Sequence, residues 1–312
     1  MAELVISEFM DNVAATALAA DFRTHWDPDL WKDTRSLLQH LADARAIIVR
    51  NATRVDVGLL DAAPNLKVVA RMGVGLDNID VVACRSRGIE VCPSVGANAV
   101  SVAEYVIATA MILLRGPAYF ATPDVVSGTW DRPKFAGGLE LAGRTMGIIG
   151  FGSIGQTVAA KARGLDMGVI AYDAIMPDDG EGWRLARRVD FNTLLTQADV
   201  ITLHCPRLPE TINLIDTQQF AHMKSGAILI NSARGGIVNE AACADALRSG
   251  KLAGAALDTL DVEPIDETAS ALFRNVSNLI LTPHIAGVTR ESNRRIAEVA
   301  ADNVRRVLGN GR

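Results

Sequence analysis

The sequence predicts an α/β protein of two domains, each a parallel sheet flanked by helices. Three observations carry this. The chain has 312 residues, about twice a typical domain length. It carries short, continuous apolar runs, the mark of strands buried on both faces. These runs alternate with amphipathic segments, the pattern of βα repeats.

In the first series LVIS (4 to 7) is a strand, DNVAATALAADF a helix, AIIVR (46 to 50) a strand and VDVGLLDAA a helix. LKVVAR (66 to 71) is the next strand, a helix starts near Asn78, and IEVC (89 to 92) closes the domain. SVAEYVIATAMILLR then reads as a connecting helix, with Ser101 as its N-cap and Gly116-Pro117 as its stop. Six further strands follow: TMGIIG, GVIAYD, DVITLH, GAILINSAR, LAGAALD and NLILTPH. Six parallel strands suit a dinucleotide-binding sheet. The last segment, TRESNRRIAEVAADNVRRVLG, places Ile296, Val299, Ala300, Val304 and Val307 or Leu308 on one helical face. With no strand after it, this helix is expected to pack across a domain boundary.

The charge balance, 31 Lys and Arg against 36 Asp and Glu, leaves a net charge of −5, and aromatic residues make up 5%. Neither supports a nucleic-acid partner, which needs cationic surface and stacking platforms. The longest apolar stretch, Tyr105 to Leu114, is half of the ~20 residues of a membrane span, so no membrane partner is expected. Cys84, Cys92, Cys205 and Cys243 show no metal or disulfide spacing. The acidic start MAELVISEFMD has no presequence pattern, and a cytoplasmic location is the expectation.

Gly150-Phe-Gly152-Ser-Ile-Gly155 fits G-x-G-x-x-G between a strand and a helix. There the first glycine permits a tight turn, the second lets a pyrophosphate approach the backbone, and the third allows close helix packing. Asp173 ends the next strand, 23 residues beyond Gly150, where a carboxylate accepts from ribose hydroxyls and repels a 2′-phosphate. NAD is therefore the expected cofactor, and no metal is.

Polar residues at the carboxyl ends of such strands are the first candidates for chemistry. Arg234 offers a planar fork for a carboxylate. His284 titrates near neutrality and suits general acid/base work. Glu263 is suited to fix its tautomer and favour its charged form. Together with hydride transfer these roles complete the oxidation of a 2-hydroxy acid.

NSARGGIVNE, LDTLDVEP and TPHIAG resemble the catalytic segments of the D-2-hydroxyacid dehydrogenase family, GRTMGIIGFGSIG its cofactor segment and RMGVGLDNID its substrate loop. The resemblance implies two Rossmann-like domains with a cleft between them. Residues 1 to 97 plus 289 to 312 would form a flavodoxin-like substrate domain, and 98 to 288 the NAD domain. It implies Arg234 at the substrate carboxylate and keto oxygen, Glu263 as support and His284 as acid/base. It places Ser153, Ile154, Asp173, His204, Cys205, Pro206, Thr211, Ala233, Asp258 and Gly287 at the cofactor beside the three glycines, with Val74 also near it. A homodimer is likewise implied, built on the helix from about Asn98 and the TWDRPKF segment. The chain departs from the usual PHLGA or PHIGG at His284 to Gly287, and Cys205 often has Thr as its counterpart. Formate dehydrogenases of this fold carry Gln at the position of Glu263.

For the substrate, backbone N–H groups of Gly73, Val74 and Gly75 are expected to form an anion nest, with Arg50 and Arg71 at strand ends. Three arginines exceed the needs of one carboxylate, so a small-molecule substrate with a second anionic group is expected. Segments resembling phosphoglycerate dehydrogenases put 3-phosphoglycerate first; ISEFMD and CPSVGANAVSVAEYVI, similar to bacterial sulfolactate dehydrogenases, put 3-sulfolactate second. A hydroxypyruvate or glyoxylate reductase is the alternative. NAD-sensing corepressors of the same fold are a further one, although they generally carry interaction tails not seen here.

Overall fold

The computed structural model describes residues 2 to 309; Met1 and residues 310 to 312, assigned above to the first domain, lie outside the described residues. The chain divides into two compact units. One runs to Asn98 and resumes at Val288, and the other is Ala99–Gly287.

The first unit holds five strands: β1 (Leu4–Ile6), β2 (Thr24–Trp26), β3 (Ala46–Val49), β4 (Val68–Arg71) and β5 (Glu90–Pro93). They pair in parallel in the order β2-β1-β3-β4-β5, the flavodoxin-like order. β1 and β3 are fully buried, as their unbroken apolar runs require. β2 reads Thr-His-Trp, is half-buried and has no apolar run, so the sequence reading passed over it, together with the helix Thr34–Leu41. Asp11, Asp33, Asp56 and Asp80 each accept a backbone N–H at a helix start, a cap worth about 1 kcal/mol apiece. The helix expected near Asn78 begins instead at Val81. Asn78 is a loop anchor, its amide donating to the carbonyls of Arg50 and Thr53 at 3.3 and 2.7 Å.

The last helix, Arg290–Leu308, opens on a capping box between Thr289 and Ser292. Ile296, Ala297, Ala300, Ala301, Val304 and Leu308 pack into the core formed by β1, β3 and β4. Its apolar face therefore serves the first unit, where burial contributes about 1.5–3 kcal/mol for each large side chain.

The second unit holds β6 (Thr145–Ile149), β7 (Gly168–Tyr172), β8 (Arg187–Arg188), β9 (Val200–Leu203), β10 (Ala227–Asn231), β11 (Leu252–Leu257) and β12 (Leu279–Leu281). Seven strands, not six, pair in parallel in the order β12-β11-β10-β9-β6-β7-β8. The added strand, β8, is an exposed Arg-Arg pair at the edge, invisible to an apolar-run search. The order in which strands are added reverses between β6 and β9, the switch point where ligands bind in such folds.

The helix before β6 starts at Ala99, two residues before the expected cap, and Ser101 is buried inside it. The helical run Ala99–Val126 is long and apolar enough to cross a membrane by length and composition, and half of its most apolar window is buried. Val102, Val106, Ala110, Leu113 and Leu114 lie in the core, so packing accounts for that apolarity.

Candidate active site

The turn after β6 has the geometry its glycines predict. Gly150 has φ +89°, and a side chain there would stand 2.6 Å from the carbonyl carbon of His204. At Gly155 a Cβ would meet the carbonyl oxygen of Gly150 at 2.3 Å. Gly152 differs, with nothing within 4 Å of its Cβ position. It caps the helix Ser153–Arg163, whose first N–H groups have no partner within the helix. Backbone closes two glycines in, and the third faces open space.

Asp173 follows β7. One carboxylate oxygen accepts the N–H of Phe151 at 2.6 Å, and the other accepts those of Ile175 and Met176 at 2.8 Å. Burial alone would raise its pKa, but these three bonds outweigh it and hold the group below the usual carboxylate value. With about four lone-pair sites on a carboxylate, these three bonds leave about one for a ligand hydroxyl.

Arg234 lies past β10 in a turn built by the buried Asn231. The Asn231 side chain accepts from Ala233 N–H at 3.1 Å and donates to the Arg234 carbonyl at 2.9 Å. The Arg234 guanidinium donates to the Ala233 carbonyl at 2.6 Å. His284 follows β12 with φ +55°. Its Nδ1 lies 2.9 Å from Glu263 Oε2, and both side chains are partly exposed. A carboxylate at Nδ1 makes that nitrogen the donor, so Nε2 is the atom left for proton transfer.

Asp258, expected at the cofactor, holds this turn from beneath. Its buried carboxylate accepts from Thr282 Oγ1 at 2.6 Å and from the N–H groups of Ile285 and Ala286 at 2.8 Å. Tyr105 lies 2.7 Å from Thr282 through its hydroxyl, and burial pushes that hydroxyl up to about 12. Thr211 is likewise occupied within its own loop, accepting from Leu208 N–H and donating to the Pro206 carbonyl, both at 2.7 Å. The imidazole of His204 is bonded to Thr202 at 2.9 Å and pushed down to about 3 by burial, so it is neutral. Burial pushes the Cys205 thiol up to about 11. Neither residue is poised for proton transfer at neutral pH.

In the first unit Arg50 donates to Asn293 Oδ1 at 3.0 Å. The turn after Arg50 closes on Glu8, which is 4% exposed. Glu8 accepts four backbone N–H groups, those of Arg50, Asn51, Ala52 and Thr53, at 2.7 to 3.2 Å. Burial opposes its charge, yet these bonds prevail and lower its pKa. Arg71 does not stand clear of its strand end. It folds back, donating to the Met72 carbonyl at 2.9 Å, with Nη1 1.4 Å from where a Gly73 Cβ would stand. The N–H groups of Met72 and Gly73 go to the carbonyls of Val49 and Arg71. The expected nest therefore narrows to donors from Val74 and Gly75 onward, where Val74 is exposed.

Residues 107–286 match the family model "D-isomer specific 2-hydroxyacid dehydrogenase, NAD binding domain". The chain belongs to the D-2-hydroxyacid dehydrogenase family. It is 48% identical over 310 residues to an (S)-sulfolactate dehydrogenase of Chromohalobacter salexigens, covering 99% of both chains. It is 40% identical over 304 residues to a D-3-phosphoglycerate dehydrogenase of Archaeoglobus fulgidus, covering 97% of this chain but 56% of that one. Among solved structures, the D-lactate dehydrogenase of Aquifex aeolicus complexed with NAD and lactic acid matches with a TM-score of 0.84 at 28% identity, over 98% of this chain and 96% of that one.

This dehydrogenase uses NAD, and the second unit fits that cofactor. In the same unit, three buried polar atoms lack a protein partner at the carboxyl ends of neighbouring strands: His204 Nδ1, Ser232 Oγ and Thr259 Oγ1. Such orphans are costly unless a ligand or water meets them. Gly152→Ala is expected to fold with an unchanged melting temperature while weakening NADH by about 10-fold or more, because only a ligand would meet the new methyl. Gly155→Ala is expected to destabilise the protein itself. Fluorescence titration of NADH and thermal melts separate the two, and equal affinity for NADH in Gly152→Ala and wild type would remove the cradle.

Proposed function

We propose that this dehydrogenase interconverts a 2-hydroxy acid and its 2-keto acid in which C3 carries a second anionic group, with 3-sulfolactate first and 3-phosphoglycerate second. This reverses the order expected from the sequence. The observation that carries it is the buried Glu8 carboxylate, whose charge acts on the Arg50 guanidinium. That negative charge lowers the positive potential at the Arg50 end of the turn. A site of reduced positive charge suits a sulfonate, which carries −1, better than a phosphate monoester with about −1.5 to −2 at pH 7. The full-length likeness to the Chromohalobacter enzyme supports the same choice. Sulfur at C3 outranks the carboxylate in the naming convention, so the S label of sulfolactate denotes the same spatial hand as D-lactate.

In this reading Arg234 grips the C1 carboxylate and the C2 oxygen, polarising the latter as a carbonyl. In the oxidative direction His284 Nε2 takes the hydroxyl proton, and in the reductive direction it returns one to the same oxygen. Glu263 fixes the tautomer that leaves Nε2 available and stabilises the imidazolium. Bound NAD supplies the acceptor for the hydride of C2. The Gly-rich turn, Ser153 and Ile154 hold its pyrophosphate, with Asp173 at the ribose. Cys205, Pro206, Ala233 and Gly287 flank it, and Asp258, Thr211 and His204 act by shaping the turns around it. Arg50, oriented by Asn293, and Arg71 take the second anion.

Arg71→Ala tests this reading. It is expected to raise KM for 3-sulfopyruvate by about 10- to 100-fold, the value of a charged hydrogen bond, and KM for pyruvate less than about 3-fold. A parallel rise for both would remove the second anion.

We also propose a homodimer, supported by large apolar side chains left exposed in one segment: Tyr119, Phe120, Val126 and Trp130. Such a patch marks an interface, and a monomer in sedimentation equilibrium would overturn it. A cytoplasmic location is supported by four free thiols, three of them buried, as expected of a reducing compartment.

A further inference from the structure

The His284–Glu263 pair rests on a loop pinned by residues that no role above includes. Leu260 N–H donates to Glu263 Oε1 at 2.9 Å, which leaves Oε2 for His284 Nδ1 at 2.9 Å. The next residue is held from outside the loop: Asp261 N–H donates to Glu240 Oε1 at 2.6 Å. Glu240 is the first residue of the helix Glu240–Arg248. The Asp261 carboxylate is in turn paired with Arg207 at 3.0 Å.

These contacts are possible because Gly235 and Gly236 carry no side chains. A Cβ on Gly235 would lie 1.9 Å from the Leu260 carbonyl oxygen. One on Gly236 would lie 2.8 Å from Asp261 Oδ1 and 3.0 Å from the Arg207 guanidinium carbon. The segments around residues 207, 235 and 261 are thus in direct contact.

As a stabiliser alone, Glu240 is a poor choice. Burial raises the pKa of its carboxyl, as do the nearby charges of Asp261 and Glu263. An apolar side chain at such a position would avoid the cost of a half-buried acid among like charges. What Glu240 supplies is one acceptor at the residue two before Glu263.

We infer that Glu240 is a positioning residue, assisted by the Asp261–Arg207 pair, which fixes the 260–263 loop so that Glu263 meets His284. The inference rests on the acid/base reading of His284 and Glu263. A displaced Glu263 releases the imidazole from its orientation, and small misplacements of reacting groups carry large rate penalties. Substrate and cofactor binding are not expected to change, since Glu240 holds a loop and not a ligand.

The test compares Glu240→Ala, Glu240→Gln and Arg207→Gln in the wild-type and His284→Asn backgrounds, with folding checked by circular dichroism. Glu240→Ala is expected to lower kcat about 10-fold, with KM for the keto acid and Kd for NADH within about 2-fold of wild type. Glu240→Gln keeps an amide oxygen for Asp261 N–H and is expected to restore kcat to within about 3-fold. The Arg207→Gln loss, at an exposed pair, is expected to be about 3-fold. In the His284→Asn background each of these losses is expected to fall below about 2-fold, because residues acting through one group are not additive. A Glu240→Ala loss that persists undiminished without His284, or a Glu240→Gln as slow as Glu240→Ala, overturns the inference, as does unchanged kcat in Glu240→Ala. If His284→Asn alone turns over like wild type, the acid/base reading fails instead.

Discussion

Replacing His284 by Asn is expected to lower kcat by roughly 10²- to 10⁴-fold, the usual worth of a positioned acid/base, while NADH binding is retained. Asparagine keeps a polar side chain of similar reach and cannot accept or deliver a proton at neutral pH. The titratable side chains that follow β9 do not substitute for it. His204 is held neutral by burial, with a value of about 3, and its Nε2 is committed to Thr202. The Cys205 thiol stays protonated, near 11. The loss should appear in kcat and in kcat/KM alike, because a proton transfer is made only in the transition state. Steady-state turnover with NADH fluorescence titration checks this, and turnover equal to wild type would remove His284 from the chemistry.

The second large effect is on stability. Glu8→Ala leaves four backbone N–H groups of residues 50 to 53 without the carboxylate that now accepts them. Each buried unsatisfied donor costs about 1–3 kcal/mol; local relaxation and water recover part, and a net loss of about 3–5 kcal/mol is expected. The pH dependence has a definite sign. Glu8 has a lowered folded pKa, so its contribution is fully present above the unfolded value of about 4.3. It is lost as the pH falls through the lower folded value. Acidification below about pH 4 should therefore cost the wild type more stability than it costs Glu8→Gln. Denaturant melts at pH 7 and pH 3, fitted for two transitions where two appear, test this. A Glu8→Ala loss under about 1 kcal/mol at pH 7 would mean the turn is held by something else. Glu8→Gln also removes a negative charge from beside Arg50, and should move substrate preference toward phosphate.

The buried strands were legible because burial on both faces writes itself as an apolar run: Ala46–Val49 and Thr145–Ile149 fall within one residue of expectation and Ala227–Asn231 within three. β2 and β8 were not, since these two edge strands carry polar side chains and no such run. Ser101 failed as a cap because a serine before an apolar stretch looks the same whether the helix starts there or two residues earlier. Gly150, Gly152, Asp173, Arg234, Glu263 and His284 could be named as candidates because each chemical need restricts residue type and spacing.

What stayed hidden was direction and partnership. An acid after a strand, such as Glu8, looks solvated until the turn it closes is seen. Nothing in the sequence says that Arg71 turns back over Gly73, or that Asp258 looks inward to the 282–286 turn. Glu240 and Arg207 gave no signal either, because their partner Asp261 is met only through the fold.

The most direct measurement of the central claim is kcat/KM for NADH-dependent reduction of 3-sulfopyruvate, 3-phosphohydroxypyruvate, hydroxypyruvate, glyoxylate and pyruvate. The charge balance around Arg50, Arg71 and Glu8 predicts 3-sulfopyruvate first and the phosphate analogue second. Both should exceed the singly charged acids by about 100-fold, the worth of 2–3 kcal/mol of charged hydrogen bonding. Equal or greater kcat/KM for hydroxypyruvate, glyoxylate or pyruvate would contradict a site built for two anions.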